Sequence, residues 1–199
     1  MSEIHKEINN FWNRSNKKKY EKAMNILVNY ITQIDEKLYK IYGNHIVRFV
    51  ENRLKTPESI EEKLRRKGKS VNYQSIEKYI NDLAGVRAIC FDTKQVYRLV
   101  EEIKRIRVFS VIKEKDYILH PKDNGYQSYH IIFGYQDIKI ELQIRTILMD
   151  AWSSLETILI YKKSVPVPYE IENDIGKFSK WSKKMDTLVE KMLERKVIQ

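Results

Sequence analysis

The chain has 199 residues, 42% of them hydrophobic, a length and composition suited to one globular domain with a buried core. Its 37 basic residues outnumber 27 acidic ones, and the formal net charge of +10 points to polyanionic ligands such as nucleotides, RNA or an acidic protein. A single cysteine excludes a disulfide framework or cysteine zinc site, and no apolar run approaches the ~20 residues of a membrane span; the start Met1-Ser2-Glu3-Ile4-His5-Lys6 lacks a signal-peptide layout, so a cytoplasmic protein is expected.

From Lys17 to Tyr42, apolar residues at Ala23, Ile26, Leu27, Tyr30, Ile31, Ile34, Leu38 and Ile41 recur at steps of three and four, predicting an amphipathic helix that Gly43-Asn44 ends. Thr56-Pro57 opens a second helix, with threonine as N-cap, that runs toward Lys67-Gly68; a short helix is expected from Ser75 to Leu83. Strands are expected over Gly85–Phe91, Val108–Lys113, Tyr129–Tyr135 and Ile138–Arg145, with a helix over Lys94–Ile106 joining the first two. A strand–helix–strand crossing favours neighbouring parallel strands, whereas the last two runs, parted by Gln136-Asp137, read as an antiparallel hairpin. The expected fold class is therefore α/β (α+β): a mixed sheet of about five strands flanked by helices. Cys90, inside Val86-Arg87-Ala88-Ile89-Cys90-Phe91, reads as a small core residue. Ile147–Lys163 is helical by the spacing of Leu148, Trp152, Leu155 and Leu159, and Pro166 and Pro168 mark a break before a last helix over about 169–197. In that helix Ile175, Phe178, Met185, Val189 and Met192 follow a nearly heptad rhythm interrupted by Ser182, a stripe that packs either on its own domain or on a second subunit.

Four constellations carry chemistry. In Ile138-Lys139-Ile140-Glu141-Leu142-Gln143-Ile144-Arg145, aliphatic and polar residues alternate without a break, so Lys139, Glu141, Gln143 and Arg145 share one face of a strand. Around Thr56, the residues Arg53 and Lys55 lead into a helix N-terminus, and Ser59 and Lys63 share a helical face; this is either a phosphate cradle or a solvated basic helix. Asn81-Asp82-Leu83-Ala84-Gly85-Val86-Arg87 sets an acid and an arginine at the mouth of a strand, where Asp82 either caps a turn or joins Glu141 in holding Mg²⁺ against nucleotide phosphates. The loop Pro121–His130 is richer than a turn requires: Lys122 and His130 suit phosphate, Tyr126 offers a flat face to a base, and Asn124-Gly125 lets the backbone approach. A satisfied core histidine is the plain alternative for His130.

Taken in order, Arg53-x-Lys55-x-x-x-Ser59-x-x-x-Lys63, Asp82-Leu83-Ala84-Gly85-Val86-Arg87, Asp116-Tyr117-Ile118, Asn124-Gly125-Tyr126-Gln127-Ser128-Tyr129-His130 and Glu141-Leu142-Gln143-Ile144-Arg145-Thr146 resemble the synthetase domain of the RelA/SpoT family, specifically its small single-domain alarmone synthetases. The resemblance spans roughly Arg48 to Lys163, and Met149-Asp150-Ala151-Trp152-Ser153-Ser154-Leu155-Glu156 resembles the family's following helix. It implies a nucleotidyltransferase-like synthetase fold over residues 1–199, with a catalytic core at about 44–165 between the helices at about 17–42 and 169–197. It also implies Mg²⁺-dependent transfer of the β,γ-diphosphate of ATP to the 3′-hydroxyl of GDP or GTP, releasing AMP. By the same resemblance, Arg53 and Arg87 flank the adenine, and Lys55, Ser59 and Lys63 hold the ATP phosphates. Asp82 ligates the metal, and Glu141 either helps hold it or takes the hydroxyl proton. Tyr126 stacks on the acceptor guanine with Asn124 at its edge, Lys122 and His130 meet acceptor phosphates, and Gln143 orients the acceptor.

Two departures stand out. Glu156-Thr157 replaces the family's frequent Glu-His before Tyr161-Lys162, and threonine cannot become cationic; Asp123 stands where proline is frequent, adding negative charge to the acceptor loop. The histidines His5, His45, His120 and His130 include no His-Asp pair, so alarmone hydrolysis is not expected. Within the same family, some small members are toxins that pyrophosphorylate the 3′ CCA end of tRNA, a reading that the run Lys17-Lys18-Lys19 and the cluster Lys63, Arg65, Arg66, Lys67 and Lys69 would suit, with an antitoxin protein as partner. An inactive nucleotide- or RNA-binding module is a third reading, disfavoured because Asp82 and Glu141 are both present. A homo-oligomer built through the C-terminal helix is compatible with any of these.

Overall fold

In the computed structural model, which describes residues 8–160 and 166–197, a helical turn at residues 8–11 precedes α1 (Arg14–Tyr42), β1 (Val47–Leu54), α2 (Pro57–Arg66) and α3 (Tyr73–Tyr79). There follow β2 (Ala84–Cys90), α4 (Thr93–Ile103), β3 (Ser110–Asp116), β4 (Tyr129–Tyr135), β5 (Ile138–Thr146), α5 (Ile147–Leu159) and α6 (Tyr169–Val197). The expected cap at Thr56 is a cap in fact, its hydroxyl accepting from Ser59 N, and Asp92 and Thr146, which the sequence pattern did not single out, cap α4 and α5 by accepting from Gln95 N and Met149 N. The α5 stretch was expected to reach Lys163, but 161–163 lie outside the described residues, as does the Tyr161-Lys162 pair.

The five strands form one mixed sheet in the order β1-β2-β5-β4-β3. The hairpin β4–β5 is antiparallel as expected, turning at Gln136, whose φ of 53° lies in the left-handed region favoured by tight hairpin turns. The crossing from β2 through α4 to β3 does not make neighbours. Instead β2 pairs in parallel with β5, while β3 runs in the same direction at the far edge, with β5 and β4 inserted between. Chain order favours adjacency only as a tendency, and here the apolar run of β5, closed on both sides by neighbours, takes the central place.

The strand β1 has no counterpart among the expected runs. It pairs antiparallel with β2 at the sheet edge, and its residues are half-buried or exposed throughout, so no two-residue alternation marks it. At the opposite edge β3 is exposed along nearly its whole length.

The sheet has one apolar and one polar face. Ala23, Leu27, Ile31, Ile34 and Leu38 of α1, with Val96, Leu99 and Ile103 of α4, bury against Val86, Ala88, Ile140, Leu142 and Ile144, all of them core residues. Each valine, leucine or isoleucine among them contributes about 1.5–3 kcal/mol on removal from water. Cys90 is fully buried in this layer, and burial pushes its thiol up, away from reactivity.

Helix α6 divides the apolar stripe between two faces. Ile175, Ser182 and Asp186 turn inward and are buried, while Met185 and Met192 turn outward beside the exposed Trp181 and Leu188. Asp186 is 3% exposed, its Oδ2 accepting from the Thr146 hydroxyl at 2.9 Å. Burial pushes its carboxyl up to about 7, and the negative charges of Asp92 and Glu190 act in the same sense. An unfolded aspartate titrates near ~3.9, so between that value and about 7 the native state holds a proton that the unfolded chain has lost. Stability therefore falls as pH rises through this window. The Asp186→Asn variant removes the effect: in urea unfolding from pH 4 to pH 8, its stability relative to the parent should rise steadily with pH.

Candidate active site

The polar face of the sheet holds two rows of residues set side by side by strand register. One runs Arg53, Gly85, Glu141, Ile132 and Lys113 across β1, β2, β5, β4 and β3; the next runs Glu51, Arg87, Gln143, His130 and Lys115. Residues paired across neighbouring strands project to the same side, so the polar half of the β5 alternation faces the basic residues of both edge strands. Gly85 leaves a gap in the first row. A Cβ there would meet nothing closer than Arg53 O at 3.9 Å, so the floor is open between Arg53 and Glu141.

Two cavities open on this face. The larger, about 480 Å³, is walled by Arg53, Lys55, Ser59 and Arg87 together with Asp82, Glu141 and Gln143. The smaller, about 190 Å³, is lined by Lys63, Lys67, Lys113, Lys115, Tyr117 and His130, among others, and again by Asp82 and Glu141. The two carboxylates thus belong to a wall common to both.

Asp82 sits just before β2, and its Oδ2 is 2.9 Å from Lys55 Nζ and 2.8 Å from Lys63 Nζ. Burial raises its carboxyl, but the charges and hydrogen bonds of Lys63 and Lys55 outweigh that and hold it below the usual carboxylate range. Its Oδ1 is buried with no hydrogen-bond partner. Glu141 accepts at Oε2 from the Gln143 amide at 2.7 Å and faces His130 Nδ1 at Oε1 across 3.3 Å. Burial raises this carboxyl too, and the His130 ring and Gln143 reverse the shift, so both acids are ionised at neutral pH.

Beyond Glu141 the network continues inward. His130 Nε2 lies 2.7 Å from the Tyr126 hydroxyl, which accepts from Arg145 Nη2 at 2.7 Å; Arg145 also donates to Gln143 Oε1. Arg145 and Arg87 share Asp150 Oδ1, each at 3.2 Å, from the first turn of α5. Burial and the charge of Arg145 lower the Arg87 guanidinium below its ordinary value, against the pull of Asp150.

The expected donor-side residues Arg53, Lys55, Ser59 and Arg87 meet in the larger cavity, while Lys63 lines the smaller one and reaches the shared wall through Asp82. On the acceptor side His130 lines the smaller cavity and Gln143 the larger, whereas Lys122, Asn124 and Tyr126 line neither. Tyr126 enters the network through its hydroxyl, its ring set edge-on to Tyr117, His130 and Trp152 and covered by the Lys122 ammonium at 4.6 Å from its centre. Asn124 is anchored away from the cavities, its amide donating to Glu156 Oε1 at 3.3 Å. Thr157 donates to Ser153 O at 2.7 Å within its own helix.

Sequence reasoning missed Lys113, Lys115 and Tyr117. The edge strand that carries the lysines has no apolar alternation, and Tyr117 was noted only within a motif; the usable signal was the alternation of Lys113, Lys115 and Tyr117 themselves at two-residue steps.

The Asp82 pairing has a measurable consequence. Lys63→Met should lower unfolding stability by about 1–3 kcal/mol near neutral pH, the loss expected for a hydrogen bond to a charged, largely buried group. Because the folded carboxyl lies below its unfolded value, this contribution is full above ~3.9 and lost as pH falls through the folded value, so urea curves of parent and variant should converge in acid.

The family described as "Region found in RelA / SpoT proteins" matches residues 52–165, a span that includes both carboxylates. The chain is 34% identical over 182 residues to the GTP pyrophosphokinase YwaC of Bacillus subtilis, covering 87% of this chain and 85% of that one. Its structure resembles the crystal structure of small alarmone synthetase 1 from Bacillus subtilis bound to its product pppGpp, with a TM-score of 0.79 and 29% identity over 88% of this chain and 93% of that one. For small alarmone synthetase 2 of the same organism the TM-score is 0.77 at 33% identity, covering 94% and 98%. The chain belongs to the RelA/SpoT family and has the fold of its small alarmone synthetases.

Proposed function

We propose that this protein is an ATP:guanosine-nucleotide 3′-pyrophosphokinase that makes pppGpp or ppGpp. The observation that carries the reading is the shared wall: two cavities of different size, both lined with cations, meet at Asp82 and Glu141. A reaction that joins two nucleotides needs two sites in contact and charge compensation where the phosphorus changes partners. The kinship with a GTP pyrophosphokinase and with a pppGpp-bound synthetase supports the assignment.

The larger cavity takes ATP, its base between the guanidinium planes of Arg53 and Arg87 and its phosphates toward Lys55 and Ser59. The smaller cavity takes GDP or GTP, its phosphates toward Lys113, Lys115 and His130 and its base toward Tyr117 and Tyr126. The acceptor 3′-oxygen attacks Pβ of ATP in line. The new bond is 3′-O–Pβ, the Pβ–O bond to AMP breaks, and its electron pair leaves with AMP. Glu141, ionised and oriented by Gln143 and His130, takes the hydroxyl proton; its strength as a base comes from position, since its carboxyl is held low.

The residues fit Mg²⁺. Asp82 Oδ1 has no hydrogen-bond partner, which leaves its lone pairs for a hard cation, and Glu141 stands in the same wall. Among the described residues no cluster of three or more His, Cys, Asp or Glu forms a metal cage, which suits an ion that takes one or two carboxylates and completes its shell with phosphate and water. When bound, the metal supplies Lewis-acid charge neutralisation on the transferring phosphates.

The tRNA-modifying reading shares this donor chemistry and differs in acceptor. Several cations that would form an RNA footprint have partners nearby: Lys63 pairs with Asp82, Arg65 with Glu61, Lys19 with Asp137, and Lys69 lies over the Tyr79 ring. That favours the nucleotide acceptor. Offered GDP, GTP and deacylated tRNA together with Mg²⁺ and γ-labelled ATP, the protein should label the guanosine nucleotides, and label on tRNA 3′ ends would overturn the reading. Asp82→Asn and Glu141→Gln should each cut turnover by roughly 10²–10³-fold or more while leaving the fold intact, as loss of a transition-state electrostatic group does.

A further inference from the structure

Helix α6 lies beyond residue 165, where the family match ends, yet it touches the loop on which the acceptor residues sit. The Ser179 hydroxyl donates to Gly125 O at 2.9 Å. The approach leaves no slack: a Cβ on Gly125 would lie 2.5 Å from Ser179 Oγ and 2.8 Å from Ser179 Cβ, and 3.7 Å from the Trp152 ring. Gly125 also has a φ of +87°, which other residues rarely adopt, so both the backbone angle and the space demand glycine.

The helix is itself fixed at two further points. Trp152 Nε1 donates to Ile175 O at 2.9 Å, and Thr146, at the end of β5, donates to Asp186. From Gly125 the chain passes directly to Tyr126, whose amide is held by Asn124 Oδ1 and whose hydroxyl meets His130, the histidine that faces Glu141. The loop's own turn adds two backbone bonds, Gly125 N to Lys122 O at 2.8 Å and Lys122 N to Tyr126 O at 3.2 Å; the Ser179 bond ties the same turn to a helix distant in the chain.

We propose that α6 is part of the acceptor site, and that Ser179 is a positioning residue which sets the Lys122–Tyr126 loop for the guanosine nucleotide. It acts through Gly125 and touches neither substrate nor the reacting atoms. The inference rests on the acceptor assignment above for its functional half, while its structural half, that the hydroxyl orders the loop, stands independently.

The test is Ser179→Ala, which keeps the helix and removes the hydroxyl, alongside Lys94→Ala, which releases the far end of α6 from α4 by removing its bridges to Glu190 and Glu194. Two readouts are taken: steady-state KM for each substrate, and hydrogen exchange at the amides of residues 122–127. Ser179→Ala should raise KM for the guanosine nucleotide roughly three- to tenfold, the worth of one hydrogen bond, with KM for ATP within twofold of the parent and faster exchange in the loop. Lys94→Ala should leave all of these unchanged. Equal changes in both KM values, or unchanged acceptor KM and loop exchange in an active enzyme, would overturn the proposal. If the parent transfers nothing to a guanosine nucleotide, the acceptor assignment fails by itself, and loop exchange alone then decides whether Ser179 orders the loop: faster exchange upholds that half and unchanged exchange sinks it.

Discussion

The parallel pairing of β2 with β5 is the constraint from which the rest of the site follows. It puts Gly85 beside Glu141 and Arg87 beside Gln143, and the antiparallel partners on either side extend those pairs into rows across the whole sheet. A slip of one residue would carry every one of these side chains to the opposite face. What prevents the slip lies underneath: Val86 and Ala88 on one strand, and Ile140, Leu142 and Ile144 on the other, are at most 1% exposed against α1 and α4. The chemistry on top is thus held in register by hydrocarbon below, and the precision of the polar face is a property of the apolar one.

Charge is arranged on that face so that few groups stand alone. Although the chain carries a net charge of +10, its cations here share acids: Asp150 is shared by Arg87 and Arg145, and Asp82 by Lys55 and Lys63. Arg145 is 3% exposed and engages Asp150 through Nη1 and Gln143 and Tyr126 through Nη2, so its terminal nitrogens order neighbours. The cations that line the cavities at the sheet edges, Lys113 and Lys115, are the more exposed ones, suited to an anion that comes and goes.

Much of this was legible in the sequence wherever one side of an element is buried. The alternation of β5, the three-and-four spacing of α1 and the Thr56-Pro57 start of α2 each record a single physical preference, and each element lies where its pattern puts it. The strand β1 and the lysines of β3 were harder to read, because edge strands exposed along most of their length carry no apolar alternation, and in β3 only the two-residue spacing of Lys113 and Lys115 marks a shared side. The adjacency of β2 and β5 was hidden for another reason: local pattern says which residues form strands, but long-range packing decides which strands meet. Of the site, the donor-side residues could be named because they cluster in short motifs. The contact between Ser179 and Gly125 joins residues far apart in the chain, and neither a serine in a helix nor a glycine in a turn announces a partner.

The two lysines on Asp82 have a consequence for the order in which ligands can arrive. Lys55 and Lys63 are committed to one carboxylate oxygen while the other oxygen is bare, so a free phosphate that draws the ammonium groups away strands a buried carboxylate with neither oxygen paired, at a cost of several kcal/mol. A lone divalent cation, were Asp82 its ligand as proposed, would meet the opposite obstacle, since the charges of Lys55 and Lys63 already stand at that carboxylate. An anion and a cation entering together remove both obstacles, because each supplies the partner that the other displaces. Under the proposed function, the triad of two lysines and an aspartate would act as a filter for neutral pairing, admitting the metal salt of a nucleotide more readily than either ion alone.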